Sequence, residues 1–139
     1  MSGYWKRIKE TQESMRPDGW FKTGDLGHLD EKGRLYISGG RKKDLIIRAG
    51  ENISPLAIEN ALMAHPAPAE VAAVGIVDER VGEKVKVCVV LREGADTTEQ
   101  ELKDFCRKNL PAFMTPDMIE FHQSLPKTAT GKIIKDQLK

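Results

Sequence analysis

Residues 39–59 read Gly-Gly-Arg-Lys-Lys-Asp-Leu-Ile-Ile-Arg-Ala-Gly-Glu-Asn-Ile-Ser-Pro-Leu-Ala-Ile-Glu, and the change of periodicity inside this stretch decides the fold. Leu45-Ile46-Ile47 is an apolar run of strand length, turned back at Ala49-Gly50-Glu51-Asn52. Ser54 then stands where a helix would be capped, with Pro55 in the first turn, a position whose missing N–H costs nothing. Ile58 and Leu62 lie four apart on the inward face with Ala61 beside them, and Pro66 and Pro68 stop the helix.

Towards the C-terminus the same switching continues. Residues 71–77 form an apolar run of strand length, and Val85, Val87, Val89 and Leu91 alternate on one face of the next strand. Thr98 with Glu101 is a capping-box pattern, and it leads a helix whose Leu102, Phe105 and Cys106 share one stripe. Residues 118–122 suggest a last strand. Two helices with about three main strands of mixed order predict a small α+β sandwich. Towards the N-terminus little is periodic. Residues 26–29 and 34–38 read as two short strands joined by a turn at Asp30-Glu31-Lys32-Gly33. Four of the eight aromatic residues, Tyr4, Trp5, Trp20 and Phe21, fall in the first 21 positions, with few aliphatic partners nearby. The chain therefore divides into residues 1–42 and a compact unit of residues 43–139.

Bulk properties exclude several classes. A chain of 139 residues allows one domain with an appendage, and 40% hydrophobic with 31% charged residues is the composition of a globular protein. A net charge of +1 gives no electrostatic reason to bind nucleic acid or an anionic membrane. No apolar stretch approaches the roughly 20 residues that span a bilayer, and the opening residues carry no secretory-leader pattern. Cys88 lies in a strand-like run and Cys106 in an amphipathic helix, so both read as small buried hydrophobes rather than a disulfide. A reducing cytoplasm is the expected setting.

Near the end, residues 126–132 read Pro-Lys-Thr-Ala-Thr-Gly-Lys. Thr128 and Thr130 disfavour a helix, and Gly131 permits backbone angles closed to other residues, so Lys132 projects from a polar loop as a point charge on a flexible stem. Such a residue is either a solvated tail lysine or a cation delivered to a phosphate or carboxylate. It is not a phosphate-cradling P-loop, whose first glycine would have to stand at Pro126.

Three segments occur in fixed order: Asp-Gly-Trp-Phe-Lys-Thr-Gly-Asp-Leu-Gly at residues 18–27, the stretch at residues 39–59, and the Lys132 loop. Together they resemble the C-terminal part of the adenylate-forming enzymes, the superfamily of acyl-CoA synthetases, peptide-synthetase adenylation domains and luciferases. The resemblance covers essentially the whole chain. It implies that residues 1–42 complete a large N-terminal adenylation domain and that residues 43–139 form the mobile C-terminal lid. It also implies the reaction of a carboxylic acid, ATP and CoA to acyl-CoA, AMP and pyrophosphate, with Mg2+ on the ATP phosphates held by the N-terminal domain. No metal ligand is expected in this chain. By position, Lys132 matches the family's adenylation lysine. Asp25 matches the aspartate that accepts the ribose hydroxyls, and Arg41 an arginine that reaches the same sugar. Lys43 stands at the hinge, with Gly39 and Gly40 relaxing the chain before it, and Ala49, Gly50 and Glu51 match the wall of the pantetheine tunnel.

Three positions depart from the family pattern. Ala49 replaces a frequent glycine, and Ala57 replaces a glutamate that would complete a capping box with Ser54. Met114 takes a place often held by lysine in acyl-CoA synthetases, whereas methionine there is common in the peptide-synthetase adenylation domains that load a carrier protein. Gly50-Glu51-Asn52-Ile53 and the Lys132 loop favour CoA. The chain alone is expected to be inactive. Loading of a carrier protein, and a stand-alone interaction module docking through the aromatic-rich first 40 residues, remain the alternatives. The acid itself cannot be read, since the residues expected to line its pocket belong to the N-terminal domain.

Overall fold

A computed structural model of the chain describes residues 2–139, the side chains of residues 38 and 39 excepted. The chain forms two compact units, one running to Lys43 and the other Asp44–Lys139.

The first unit opens with a short helix, α1 (Ile8–Ser14), none of whose residues is buried. It is closed locally: the Thr11 hydroxyl donates to the Arg7 carbonyl at 2.7 Å and accepts the Tyr4 N–H at 2.9 Å. With no inward face, this helix has no apolar period for a sequence reading to find. The expected hairpin follows as β1 (Asp25–Leu29) and β2 (Leu35–Arg41), antiparallel, with a register irregularity between Asp25 and Gly27. Gly40 thus sits within β2, at φ +69°, rather than in a relaxed linker. Asp30 shapes the turn, accepting the Lys32 and Arg34 N–H groups at 2.9 and 2.8 Å and the Arg34 side chain at 2.7 Å. Trp5 and Trp20 remain 86% and 72% exposed, so the aromatics find no core inside this unit.

The second unit contains β3 (Ile46–Arg48), β4 (Glu51–Ile53), α2 (Pro55–Met63), β5 (Pro68–Asp78), β6 (Gly82–Leu91), α3 (Glu99–Asn109) and β7 (Met118–Phe121). The sheet runs β4-β3-β6-β5, antiparallel throughout, and β7 pairs with β6 in parallel. The α+β build is the expected one, but the sheet has five strands rather than about three. The short runs at residues 45–47 and 118–122 both join the main strands as β3 and β7, and residues 51–53 add an unexpected strand because the turn before them needs only Ala49 and Gly50. Thr98 and Glu101 form the complete capping box. Ser54 occupies the N-cap position of α2 with extended backbone, but its side chain makes no capping bond.

One face of the sheet packs Ile46, Val85, Val87 and Val89 against Ile58 and Leu62 of α2 and Leu102 and Cys106 of α3. The other packs Ala72, Val74 and Cys88 against Leu125 and Leu138. The β5–β6 pair is therefore buried on both sides, which is why residues 71–77 read as a continuous apolar run rather than an alternating one. Cys88 and Cys106 are free and buried, and burial pushes both thiols up, Cys106 to about 11.

Two predictions follow from this packing. Neither thiol should react with a disulfide reagent at pH 8 in the native chain, and both should react in denaturant. Acid should unfold the second unit below the ordinary carboxylate range. The Lys84 side chain lowers Asp78, the Lys103 side chain Glu99, the Thr98 backbone N–H Glu101 and the Lys86 side chain Glu120. A carboxylate depressed on folding contributes stability above its unfolded value, and that contribution is lost as pH falls through the folded one. Unfolding free energy should thus hold from pH 7 to about 5 and fall below about 4 in a urea series.

Candidate functional site

Lys132 sits beside the tip of a small closed hairpin rather than in a loose loop. The Thr128 N–H donates to the Lys132 carbonyl at 2.8 Å and the Gly131 N–H to the Thr128 carbonyl at 2.9 Å, with Gly131 at φ +81°. The Thr128 hydroxyl accepts the Lys132 N–H at 3.1 Å and lies 3.0 Å from the Thr130 hydroxyl. Lys127 and Ile133 form a bridge below, and the Ile134 N–H donates to the Pro126 carbonyl at 2.8 Å. The threonines are thus the fasteners of the turn. Lys132 is exposed, and its ammonium meets no carboxylate among the described residues.

The turn at Ala49 and Gly50 is the tightest hairpin turn available. Both residues have positive φ, +49° and +85°, in the two central positions between the Arg48↔Glu51 pair. The Ala49 N–H donates to the Val81 carbonyl at 2.7 Å, and the Glu83 carboxylate accepts the Ile47 N–H at 2.6 Å. Gly75 leaves room for that carboxylate, since a Cβ there would meet it at 2.8 Å. Arg48 anchors the base of the turn. Its guanidinium donates to Asp117 at 2.8 Å and to the Phe113 and Thr115 carbonyls at 3.2 Å, while Asp117 accepts the Val85 N–H at 2.8 Å. Sequence reading missed this Arg48–Asp117 tie, because its partners lie 69 residues apart with no motif linking them.

These two features lie at opposite ends of the β5–β6 ladder. The Ala49 turn abuts the Asp78↔Gly82 end, whereas Lys127, at the foot of the Lys132 hairpin, pairs with Glu70, opposite Val90. Eight residues of strand separate Glu70 from Asp78, about 25 Å.

In the first unit, Asp25 and Arg41 are cross-strand partners whose side chains meet at 3.6 Å, half exposed. The Asp25 N–H donates to the Thr23 hydroxyl at 3.1 Å, and the Lys42 N–H to the Gly24 carbonyl at 2.9 Å. Thr23, Gly24, Arg41, Lys42 and Lys43 line an open depression of about 530 Å³. Lys43 lies in a single 3-10 turn, Lys42–Asp44. The structure thus joins Asp25 to Arg41, and Ala49 to Gly50 and Glu51.

Cys88, Glu120 and His122 bring three possible ligand atoms within 4.8 Å of one another. The Lys86 ammonium already sits 3.0 Å from the Glu120 carboxylate and neutralises it, and the Cys88 thiol is held protonated by burial. The group therefore reads as an ion pair beside a buried thiol. Its thiol and imidazole also do not suit Mg2+, which takes oxygen ligands.

Residues 57–132 match the family described as AMP-binding enzyme C-terminal domain. The chain belongs to this family. A long-chain-fatty-acid–CoA ligase of Bacillus subtilis is 46% identical over 138 residues, 99% of this chain and 24% of that protein. The o-succinylbenzoate CoA synthetase MenE of Bacillus subtilis, solved with its acyl-adenylate intermediate, superposes at a TM-score of 0.92 with 37% identity, over 100% of this chain and 28% of that one. MatB of Rhodopseudomonas palustris superposes at 0.88 when bound to ATP, with 37% identity, and at 0.72 without ligand, with 38%; each match covers 98% of this chain and 27% of MatB. The chain spans about a quarter of the length of the curated relatives it matches.

As a member of this family the chain carries alanine where φ is +49°. An L-residue with a Cβ costs roughly 1–2 kcal/mol in this conformation, part of which glycine gives back as backbone entropy. Ala49→Gly should therefore stabilise the second unit by about 0.5–1 kcal/mol and raise its melting temperature by several degrees. A calorimetric scan of the two chains measures this directly.

Proposed function

We propose that this chain works as the C-terminal part of an AMP-forming acyl-CoA synthetase. The observation that carries the reading is the display of Lys132, a cation with no carboxylate partner among the described residues, on a fixed hairpin at the end of the unit opposite the Ala49–Gly50 turn. Joining a carboxylate to the α-phosphate of ATP brings two anions together, and a positioned ammonium offsets that repulsion in the transition state. Lys132 supplies it. The oxygen of the acid attacks phosphorus, pyrophosphate leaves, and an acyl-adenylate results. Asp25, an acceptor-only carboxylate, takes the two ribose hydroxyl protons in hydrogen bonds, and Arg41 donates to the same sugar.

The second half-reaction transfers the acyl group from AMP to the thiol of CoA. The wall for its pantetheine arm is Ala49, Gly50 and Glu51, where the tight turn lets a narrow chain pass close to backbone. Lys43, at the junction of the two units, is the hinge residue, residues 43–139 being the mobile lid and residues 1–42 the end of the N-terminal adenylation domain. CoA is favoured over a carrier protein because Met114, the residue that suggested the latter, is half-buried against the core. Mg2+ would be held on the ATP phosphates by residues outside this chain. Among the described residues no helix is long and apolar enough to cross a membrane, and the two free thiols suit a reducing compartment, for which we propose the cytoplasm.

In the complete enzyme, Lys132→Ala should lower acid-dependent pyrophosphate release by roughly 10²–10³-fold, as loss of one transition-state donor does. Thioester formation from supplied acyl-adenylate should persist. Normal adenylation by the variant would overturn the reading. The chain alone should bind ATP no tighter than millimolar. Micromolar binding needs about 8 kcal/mol, and exposed charge-assisted bonds fall short of their sheltered value of ~1.5–3 kcal/mol each. Isothermal calorimetry measures this.

A further inference from the structure

Four lysines, at 127, 132, 135 and 139, fall in the last thirteen residues, and three of them face a carboxylate. The Lys127 ammonium lies 2.8 Å from both carboxylate oxygens of Glu70 on β5. The Lys135 ammonium lies 2.7 Å from Glu59 of α2, whose same oxygen accepts the Ala73 N–H at 2.9 Å and is thereby fixed to β5. Lys139 lies 3.6 Å from Asp136. Among the described residues only Lys132 of the four has no carboxylate partner. The two firm pairs also bracket it: Lys127 enters the hairpin and Lys135 leaves it, one held to the strand and the other to the helix. Leu125 and Leu138, each 5% exposed, seat the segment outside both.

We propose that Glu70 and Glu59 are positioning residues for Lys132. They hold the two ends of its hairpin to the sheet and to α2. They also remove Lys127 and Lys135 as rival cations, so that an approaching anion meets one ammonium in one place. Neither carboxylate touches substrate. The Glu59–Lys135 pair is the more sheltered, with side chains 16% and 24% exposed, and Glu70–Lys127 the more open, at 32% and 40%. The inference rests on the adenylation role proposed for Lys132.

The test uses the complete enzyme and separates its half-reactions. Glu70→Lys sets two ammonium groups against each other. Adenylation at saturating ATP should slow by roughly ten-fold or more, the effect of a small misplacement of a catalytic group. Thioester formation from supplied acyl-adenylate should be unaffected. Exchanging the charges, Glu70→Lys with Lys127→Glu, should restore adenylation to within about three-fold, a coupling that independent sites do not show. Glu59→Gln keeps an acceptor for the Ala73 N–H while removing the ion pair, and should slow adenylation in the same selective way. Normal adenylation in both single variants, in an enzyme that Lys132→Ala disables, would overturn the positioning role alone. So would equal loss of both half-reactions without rescue by the exchange. Normal adenylation in Lys132→Ala would overturn the role of Lys132 itself and the inference with it.

Discussion

The second unit depends on one constraint, the burial of the β5–β6 ladder on both of its faces. Ten residue pairs join the two strands, from Pro68↔Leu91 to Asp78↔Gly82. Val85, Val87 and Val89 point to the helices, while Cys88 points to the C-terminal segment. Burying a Val or Leu side chain contributes about 1.5–3 kcal/mol, so the ladder is secure only when both coverings are present. The segment that carries Lys132 is one of those coverings. Its Leu125 and Leu138 complete a core, and the polar turn between them is held as a consequence. Order at the candidate site is therefore inherited from packing.

Sequence periodicity revealed what this burial imposes. The unbroken apolar run at residues 71–77, the alternation at 85–91 and the stripe of α3 each record a buried face, and each lies where it was expected. Two elements escaped for opposite reasons. Helix α1 buries nothing, so its formation rests on local bonds of Thr11 that leave no period. Strand β4 was hidden by its turn. Ala49 adopts φ +49°, a conformation that favours glycine or asparagine over alanine, so the sequence alone points to a turn of four residues instead of two.

The site divides in the same way. Lys132 was legible because Thr128, Thr130 and Gly131 announce a turn through their own chemistry. Its supports were not. Glu70 and Lys127 are 57 residues apart, and nothing in either neighbourhood marks the pairing until the register of β5 is known. Arg48 and Asp117 pose the same problem. Local signals thus disclose which residue is presented, and only the assembled sheet discloses what holds it there.

The rigidity of the ladder also bears on why such a unit should move as a body. Under the proposed function, its two ends serve successive steps, with the Lys132 hairpin at one and the Ala49–Gly50 turn at the other, about 25 Å apart along a strand. A lysine stem extends only about 6 Å, so no side-chain motion spans that interval. Bending the ladder would break backbone bonds and open a core packed on both faces, which close-packed interiors resist. Rotation of the intact unit breaks neither. Backbone change concentrated at one junction residue is then the least costly way to exchange the two ends, and the short turn at Lys42–Asp44 is where the chain passes between its units.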